Sequence, residues 1–157
     1  MKKIALFVDV QNIYYTTRDV YGRQFNYRKL WEQLCQKGEI VVANAYAIHK
    51  GDDGQRKFQD ALRKIGFKVK LKPYIHRSDG SSKGDCDVGI TIDVLDAAPL
   101  VDTIVLLSGD GDFDLLINKI KEDWSVRVEV YGVPELSARS LIQSATVFNP
   151  IQKALLL

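Results

Sequence analysis

At 157 residues, with 46% hydrophobic and 27% charged side chains, the chain has the size and composition of a soluble protein that buries one core, and we expect a single domain over residues 1–157. No apolar run approaches the roughly 18 residues of a membrane span, and two cysteines, Cys35 and Cys86, make no disulfide framework, so a cytoplasmic location is expected. The net charge of +2 conceals an asymmetry: residues 50–83 carry ten Lys/Arg against four acids, a net of +6, whereas residues 84–123 carry ten acids against Lys119 and Lys121, a net of −8. A basic segment beside an acidic one suits a polyanion held by Lys/Arg while carboxylates hold a metal, although solvated helix faces give the same pattern.

In chain order, residues 3–8 (Lys-Ile-Ala-Leu-Phe-Val) form a buried-strand run that ends in Asp9, with Asn12 three residues on. The apolar run stops short of the roughly 7–15 residues of an export signal and reads as the first core strand. A short helix is predicted over 13–21, and a second over 27–37, capped by Asn26 and stopped at Gly38, with Leu30 and Leu34 on one face. Residues 39–48 read as the second strand. Phe58, Ala61, Leu62 and Ile65 then fall at i, i+3, i+4 and i+7 of a helix over 55–65. The alternation of apolar residues with lysine over 67–72 marks a strand with one wet face, near a sheet edge.

Residues 74–86 are turn-rich and expected to be mobile. Over 87–98 two periods compete, because Val88, Ile90, Ile92 and Val94 alternate like a strand while Val88, Ile92 and Leu95 make a helical stripe. Topology favours the helix: parallel strands at 67–72 and 103–107 need a crossover of a dozen or more residues. A helix at 112–122, a strand at 126–131 and a final helix near 135–144 complete an alternating pattern. The expected fold is therefore a three-layer α/β/α, Rossmann-like domain with a mainly parallel sheet.

The acids fall at the ends of these elements. The strand at 103–107 runs into Ser108-Gly109-Asp110-Gly111-Asp112-Phe113, and the helix at 87–98 is preceded by Lys83-Gly84-Asp85-Cys86-Asp87. Ligands of open parallel sheets sit outside the carboxyl ends of the strands, so Asp9, Asp85, Asp87, Asp110 and Asp112 are expected to converge on one crevice. A lone Asp at a helix start is usually a cap. Five together repel one another unless a cation neutralises them, and an all-oxygen set suits Mg²⁺ or Mn²⁺. The soft ligands Cys35, His49, His76 and Cys86 lack zinc spacing, and neither histidine is placed for a nucleophilic triad.

In order and spacing, Phe7-Val8-Asp9-Val10-Gln11-Asn12, Lys83-Gly84-Asp85-Cys86-Asp87-Val88 with Asp93 following, and Ser108-Gly109-Asp110-Gly111-Asp112-Phe113 resemble the NYN domains, particularly their LabA-like bacterial branch, relatives of the PIN nucleases. The resemblance covers nearly the whole chain. It implies a PIN-like fold that binds one or two divalent ions and cleaves RNA to a 5′-phosphate and a 3′-hydroxyl. Position by position it makes Asp9, Asp87, Asp110 and Asp112 the metal-binding and catalytic acids, Asn12 the polar residue beside the first strand, and Asp93 the acid inside the following helix. The family usually has Gly where Gln11 stands, and Asp85 competes with Asp87 for alignment; Asp87 is preferred because it directly precedes the apolar helix. Metal-assisted phosphodiester hydrolysis needs a cation that polarises a phosphoryl oxygen and lowers the pKa of a water, which four aspartates can support.

Substrate contacts are expected from Asn12, Lys83, Ser108 and Arg77. Tyr14 and Tyr15 either border the site, where a ring stacks on an unpaired base, or pack their helix on the sheet, the commoner role. A phosphoaspartyl hydrolase needs a second Asp where Gln11 stands, and a dinucleotide-binding fold needs a Gly-rich turn that Val10-Gln11-Asn12 does not supply. The remaining alternative is a catalytically inactive module of the same fold that binds RNA or a protein. The Lys-alternating strand and the apolar tail at 154–157 leave room for a homodimer without requiring one.

Overall fold

The computed structural model describes residues 1–49, 53–73, 75–76, 82–83 and 86–157, with the backbone alone at 73, 75, 76, 82 and 83. The elements are β1 (Lys3–Asp9), α1 (Val10–Tyr21), α2 (Tyr27–Lys37), β2 (Glu39–His49), α3 (Asp53–Ile65), β3 (Lys68–Pro73), β4 (Ile75–His76), β5 (Ser82–Lys83), α4 (Asp87–Ala97), β6 (Thr103–Leu107), α5 (Asp114–Trp124), β7 (Arg127–Gly132), α6 (Arg139–Ser144) and β8 (Val147–Pro150). Six strands form one sheet in the order β3-β2-β1-β6-β7-β8, every neighbouring pair parallel.

Because successive side chains of a strand point to opposite faces, β1 feeds two cores. Ile4, Leu6 and Val8 pack with Ile13 of α1, Leu30 and Leu34 of α2 and Leu62 of α3. Ala5 and Phe7 pack on the other face with Ile90 and Val94 of α4, Ile117 and Ile120 of α5 and Leu141 of α6. This is the expected three-layer α/β/α arrangement. Leu6 and Phe7 are wholly buried, and burial of each large apolar side chain stabilises the sheet by about 1.5–3 kcal/mol. None of the helices among the described residues is long and apolar enough to cross a membrane.

The chain winds outward through β1, β2 and β3, then returns to lay β6 on the other side of β1. The order therefore reverses between β1 and β6, and their carboxyl ends open a crevice there. Asp9 lies on that crevice because β1 passes directly into α1; its carboxylate accepts a 3.4 Å hydrogen bond from the Asn12 amide and caps the helix.

Several local expectations differ from the structure. Residues 87–97 are helical, but the buried face is Ile90, Val94 and Ala97, while Val88, Ile92 and Leu95 are exposed. Gly38 does end α2, yet its backbone is extended; glycine is required because a Cβ would collide with the Lys2 carbonyl. The helix expected at 112–122 begins with a 3₁₀ turn and becomes α-helical at Asp114–Trp124. The one expected near 135–144 divides into a 3₁₀ turn at Pro134–Leu136 and the short α6. β8 was not expected: four residues ending in proline carry no strand period, and pairing with β7 is what makes them a strand. Within 74–86 the described residues include an antiparallel pair, Ile75 with Lys83 and His76 with Ser82. In the apolar tail, Leu155 and Leu156 are buried in this chain's own core, which removes them from any surface between copies.

Candidate functional site

The loop after β6 is built by close approach. Ala138 donates its amide to the Gly109 carbonyl at 3.0 Å, and a Cβ on Gly109 would lie 2.7 Å from the Leu136 carbonyl oxygen. A Cβ on Gly111 would likewise lie 2.8 Å from that of Ala138. The two glycines that flank Asp110 thus let the loop press against the 136–138 segment, which turns Asp110 and Asp112 to the crevice.

There, one carboxylate oxygen from each of Asp87, Asp110 and Asp112 lies within 4.8 Å of the other two. Asp87 comes from the first turn of α4, Asp110 from the loop beyond β6, and Asp112 from the 3₁₀ turn that leads into α5. The Asp112 amide donates to Asp110 Oδ1 at 2.9 Å, which fixes the spacing of the pair. Asp87 and Asp110 are half-buried and Asp112 is exposed, so the cluster faces water on one side. Three hard oxygen donors at this spacing, joined among the described residues by neither sulfur nor imidazole, fit a Mg²⁺- or Mn²⁺-type ion.

Asp9 is not one of the three. It lies behind them, 8% exposed, and its Oδ2 accepts a 3.1 Å hydrogen bond from the Ser108 hydroxyl. That hydroxyl in turn accepts from the Asp110 amide at 3.1 Å. Asn12 Oδ1 accepts from the Gly109 amide at 2.8 Å. Ser108 is wholly buried, so its expected contact with substrate is corrected to an internal one, tying the ends of β1 and β6 together. Asn12 secures the same loop.

Asp93 stands apart from the acids. Its Oδ2 accepts from the Tyr46 hydroxyl at 2.6 Å and from Lys70 Nζ at 2.7 Å, and Asn44 Nδ2 donates to the Tyr46 oxygen at 3.1 Å. Tyr46 and Lys70 are register partners on β2 and β3, so the network pins α4 to the sheet. Partial burial pushes the Asp93 carboxyl up, but the hydrogen bonds and charge of Lys70, with Tyr46 and Lys68, outweigh it and leave the group below its ordinary range. Burial, followed by the bond to Asp93, raises the Tyr46 phenol. Sequence reasoning missed Tyr46 and Lys70; their signal was a run of polar side chains, Asn44 and Tyr46, within an apolar strand.

Arg77 and Asp85 lie outside the described residues, and Lys83 is described only as backbone at the end of β5. Tyr14 and Tyr15 are 49% and 36% exposed, so of the two roles open to them neither ring is a buried contact between α1 and the sheet. Phe113 is core.

The sequence model of the NYN domain matches residues 3–152. The low amplitude and bright protein LabA of Synechococcus elongatus is 31% identical over 147 residues, covering 88% of this chain and 78% of that protein. An uncharacterized protein of Methanocaldococcus jannaschii is 30% identical over 124 residues, and the match spans 43% of its length. The crystal structure of a protein of unknown function from Vibrio parahaemolyticus superposes with a TM-score of 0.95 at 51% identity, covering 99% of this chain and 96% of that one. With a parallel sheet whose switch point carries three clustered aspartates, and a family match across nearly its whole length, the chain belongs to the NYN domain family, within the PIN-like nuclease superfamily.

Proposed function

We propose that this protein is a divalent-metal-dependent ribonuclease that hydrolyses RNA phosphodiester bonds to a 5′-phosphate and a 3′-hydroxyl. The observation that carries the reading is the set of carboxylates of Asp87, Asp110 and Asp112 within 4.8 Å of one another at the β1/β6 switch point. These three would hold Mg²⁺ or Mn²⁺, and Asp9, joined to Asp110 through Ser108, adds a fourth charge beneath them. When bound, the ion supplies the positive charge that polarises a phosphoryl oxygen and brings a water's pKa towards neutrality.

The remaining residues have supporting tasks. Asn12 and Ser108 keep the loop after β6 in register with β1, so that Asp110 and Asp112 do not drift when phosphate approaches. Asp93, held by Lys70 and Tyr46, keeps α4 and therefore Asp87 in place. Lys83 and Arg77 are proposed to meet the RNA backbone, where each lost phosphate contact lowers the salt slope of single-strand binding by about 0.7. The protein acts in the cytoplasm as one domain.

The test is a panel of single-stranded RNA and DNA substrates with Mg²⁺, Mn²⁺ or EDTA. Cleavage of RNA that needs the metal and disappears in both Asp110→Asn and Asp112→Asn is the expected result. RNA binding without turnover under every metal condition would replace the enzyme with the inactive binding module, and cleavage that survives in EDTA would remove the aspartates from catalysis.

A further inference from the structure

We infer that the cavity between α1, α3 and the connection from α1 to α2 receives one unpaired nucleobase of the RNA strand, a reading that rests on the ribonuclease function proposed above. The cavity has a volume of about 510 Å³, within the roughly 300–1,000 Å³ of small-molecule sites. Val10 and Gln11 in its wall directly follow Asp9, and Ala47 and Ile48 line it from the end of β2. It therefore opens on the same carboxyl edge of the sheet as the acidic crevice.

Two sets of groups give the cavity the chemistry of a base site. The first is enclosed. Gln59 and Tyr27 are 6% and 7% exposed, both line the cavity, and among the described residues neither side chain has a hydrogen-bond partner. No fully enclosed polar atom of the described residues lacks a partner, so these two groups are reached from the cavity. Buried polar groups call for a partner, and here a ligand supplies it. The Gln59 amide offers a donor and an acceptor side by side, a pair that every base edge can match. The Tyr27 phenol, protonated at neutral pH as any phenol is and pushed further up by burial and then by the negative charge of Asp9, is a hydrogen-bond donor.

The second set forms the rim. Tyr14 and Tyr15 meet edge to face at 5.3 Å between ring centres. The Arg18 guanidinium carbon lies 5.5 Å and 4.8 Å from the two centres. Exposed aromatic faces beside a guanidinium plane are stacking surfaces for unpaired bases. Gln11, Gln24 and Gln55 also line the cavity, and among the described residues no carboxylate does. A purely apolar ligand would leave the Gln59 amide and the Tyr27 hydroxyl unmatched, and among the described lining residues a free phosphate would find a single cation, Arg18.

The experiment walks a single abasic position along a short single-stranded RNA and measures the affinity of the full chain in EDTA, so that binding is read without cleavage. At one position the missing base is expected to weaken binding by about five- to a hundredfold, the range for one stacked base. That penalty should fall below about twofold in Gln59→Leu, and equally in Tyr14→Ala, a surface change that leaves the core intact. A penalty that is flat along the strand, or unchanged in both variants, overturns the pocket, while metal-dependent cleavage of the same RNA leaves the ribonuclease reading standing. An RNA neither bound nor cleaved overturns the ribonuclease reading itself, and the pocket with it.

Discussion

Replacing Asp112 by Asn tests the acidic cluster without any substrate. At 4.8 Å, the outer limit of the spacing between Asp87, Asp110 and Asp112, two unit charges in a water-like medium repel by about 1 kcal/mol. Asp112 takes part in two such pairs, so neutralising it relieves about 2 kcal/mol, which screening over a Debye length of about 8 Å reduces to about 1 kcal/mol at physiological salt. Loss of a negative charge near the first turn of α5 costs roughly 0.3–1 kcal/mol in the other direction. The amide bond from Asp112 to Asp110 Oδ1 is backbone and survives the substitution. Metal-free Asp112→Asn should accordingly melt at or up to about 3 °C above wild type, given about 2–4 °C per kcal/mol for a domain of this size.

Added metal reverses the comparison. An ion at 100 times its dissociation constant stabilises wild type by about 2.7 kcal/mol, or about 5–11 °C, and the variant, short of one of three carboxylates, should gain less than half of that. Differential scanning fluorimetry with EDTA, Mg²⁺ and Mn²⁺ on both proteins gives all six melting temperatures. A wild type indifferent to both ions, or a variant that gains as much as wild type, would refute the metal site; a metal-free variant well below wild type would refute the repulsion.

Three further outcomes follow from the hydrogen bonds and buried phenols. Ser108→Ala removes both the donor to Asp9 and the acceptor for the Asp110 amide, and should cost about 1–3 kcal/mol in urea unfolding; an unchanged midpoint would show that the two ends of β1 and β6 are held otherwise. Asp93→Asn should cost about 1 kcal/mol at pH 7, discounted for the partial exposure of both ions. Because the folded carboxyl titrates below its unfolded value, that contribution is present above about pH 4 and is lost as pH falls through the folded value. The gap between variant and wild type should therefore close in acid, and a gap persisting at pH 2 would deny the charge its role. At the alkaline end, burial raises the phenols of Tyr27, Tyr46 and Tyr131, the last to about 12. Their contribution is complete below the unfolded value of about 10 and is lost as pH climbs through the folded values. Tyrosinate absorbance of these three should rise together with loss of the far-ultraviolet signal, and ionisation of all seven tyrosines near pH 10 with the helices intact would contradict the burial.

Short-range chemistry was legible in one dimension. Apolar runs of five or six residues that stop at Asp9 and Ser108 mark buried parallel strands, and the need for a crossover resolved residues 87–97 as a helix. Asn26 accepts from the Lys29 amide as a cap should, and alternation with lysine placed β3 at the sheet edge. Asp110 and Asp112 were legible because a short Gly-rich turn carries them directly off the end of a strand.

Tertiary packing decided everything that depends on which surfaces meet. Val88, Ile92 and Leu95 and the opposite face of α4 are both apolar, so the sequence held two answers, and the shape of the sheet chose Ile90, Val94 and Ala97. β8 exists because β7 offers it unpaired backbone groups. Asp9, Asp87 and Asp93 share a residue type but not an environment. Asp9 took a serine 99 residues away and Asp93 a lysine 23 residues away, while Asp87 was brought to Asp110 and Asp112 by the return of the chain to β1. A carboxylate's role follows from the charges and donors around it, and those neighbours come from strands and helices distant in the chain, which local sequence pattern does not encode.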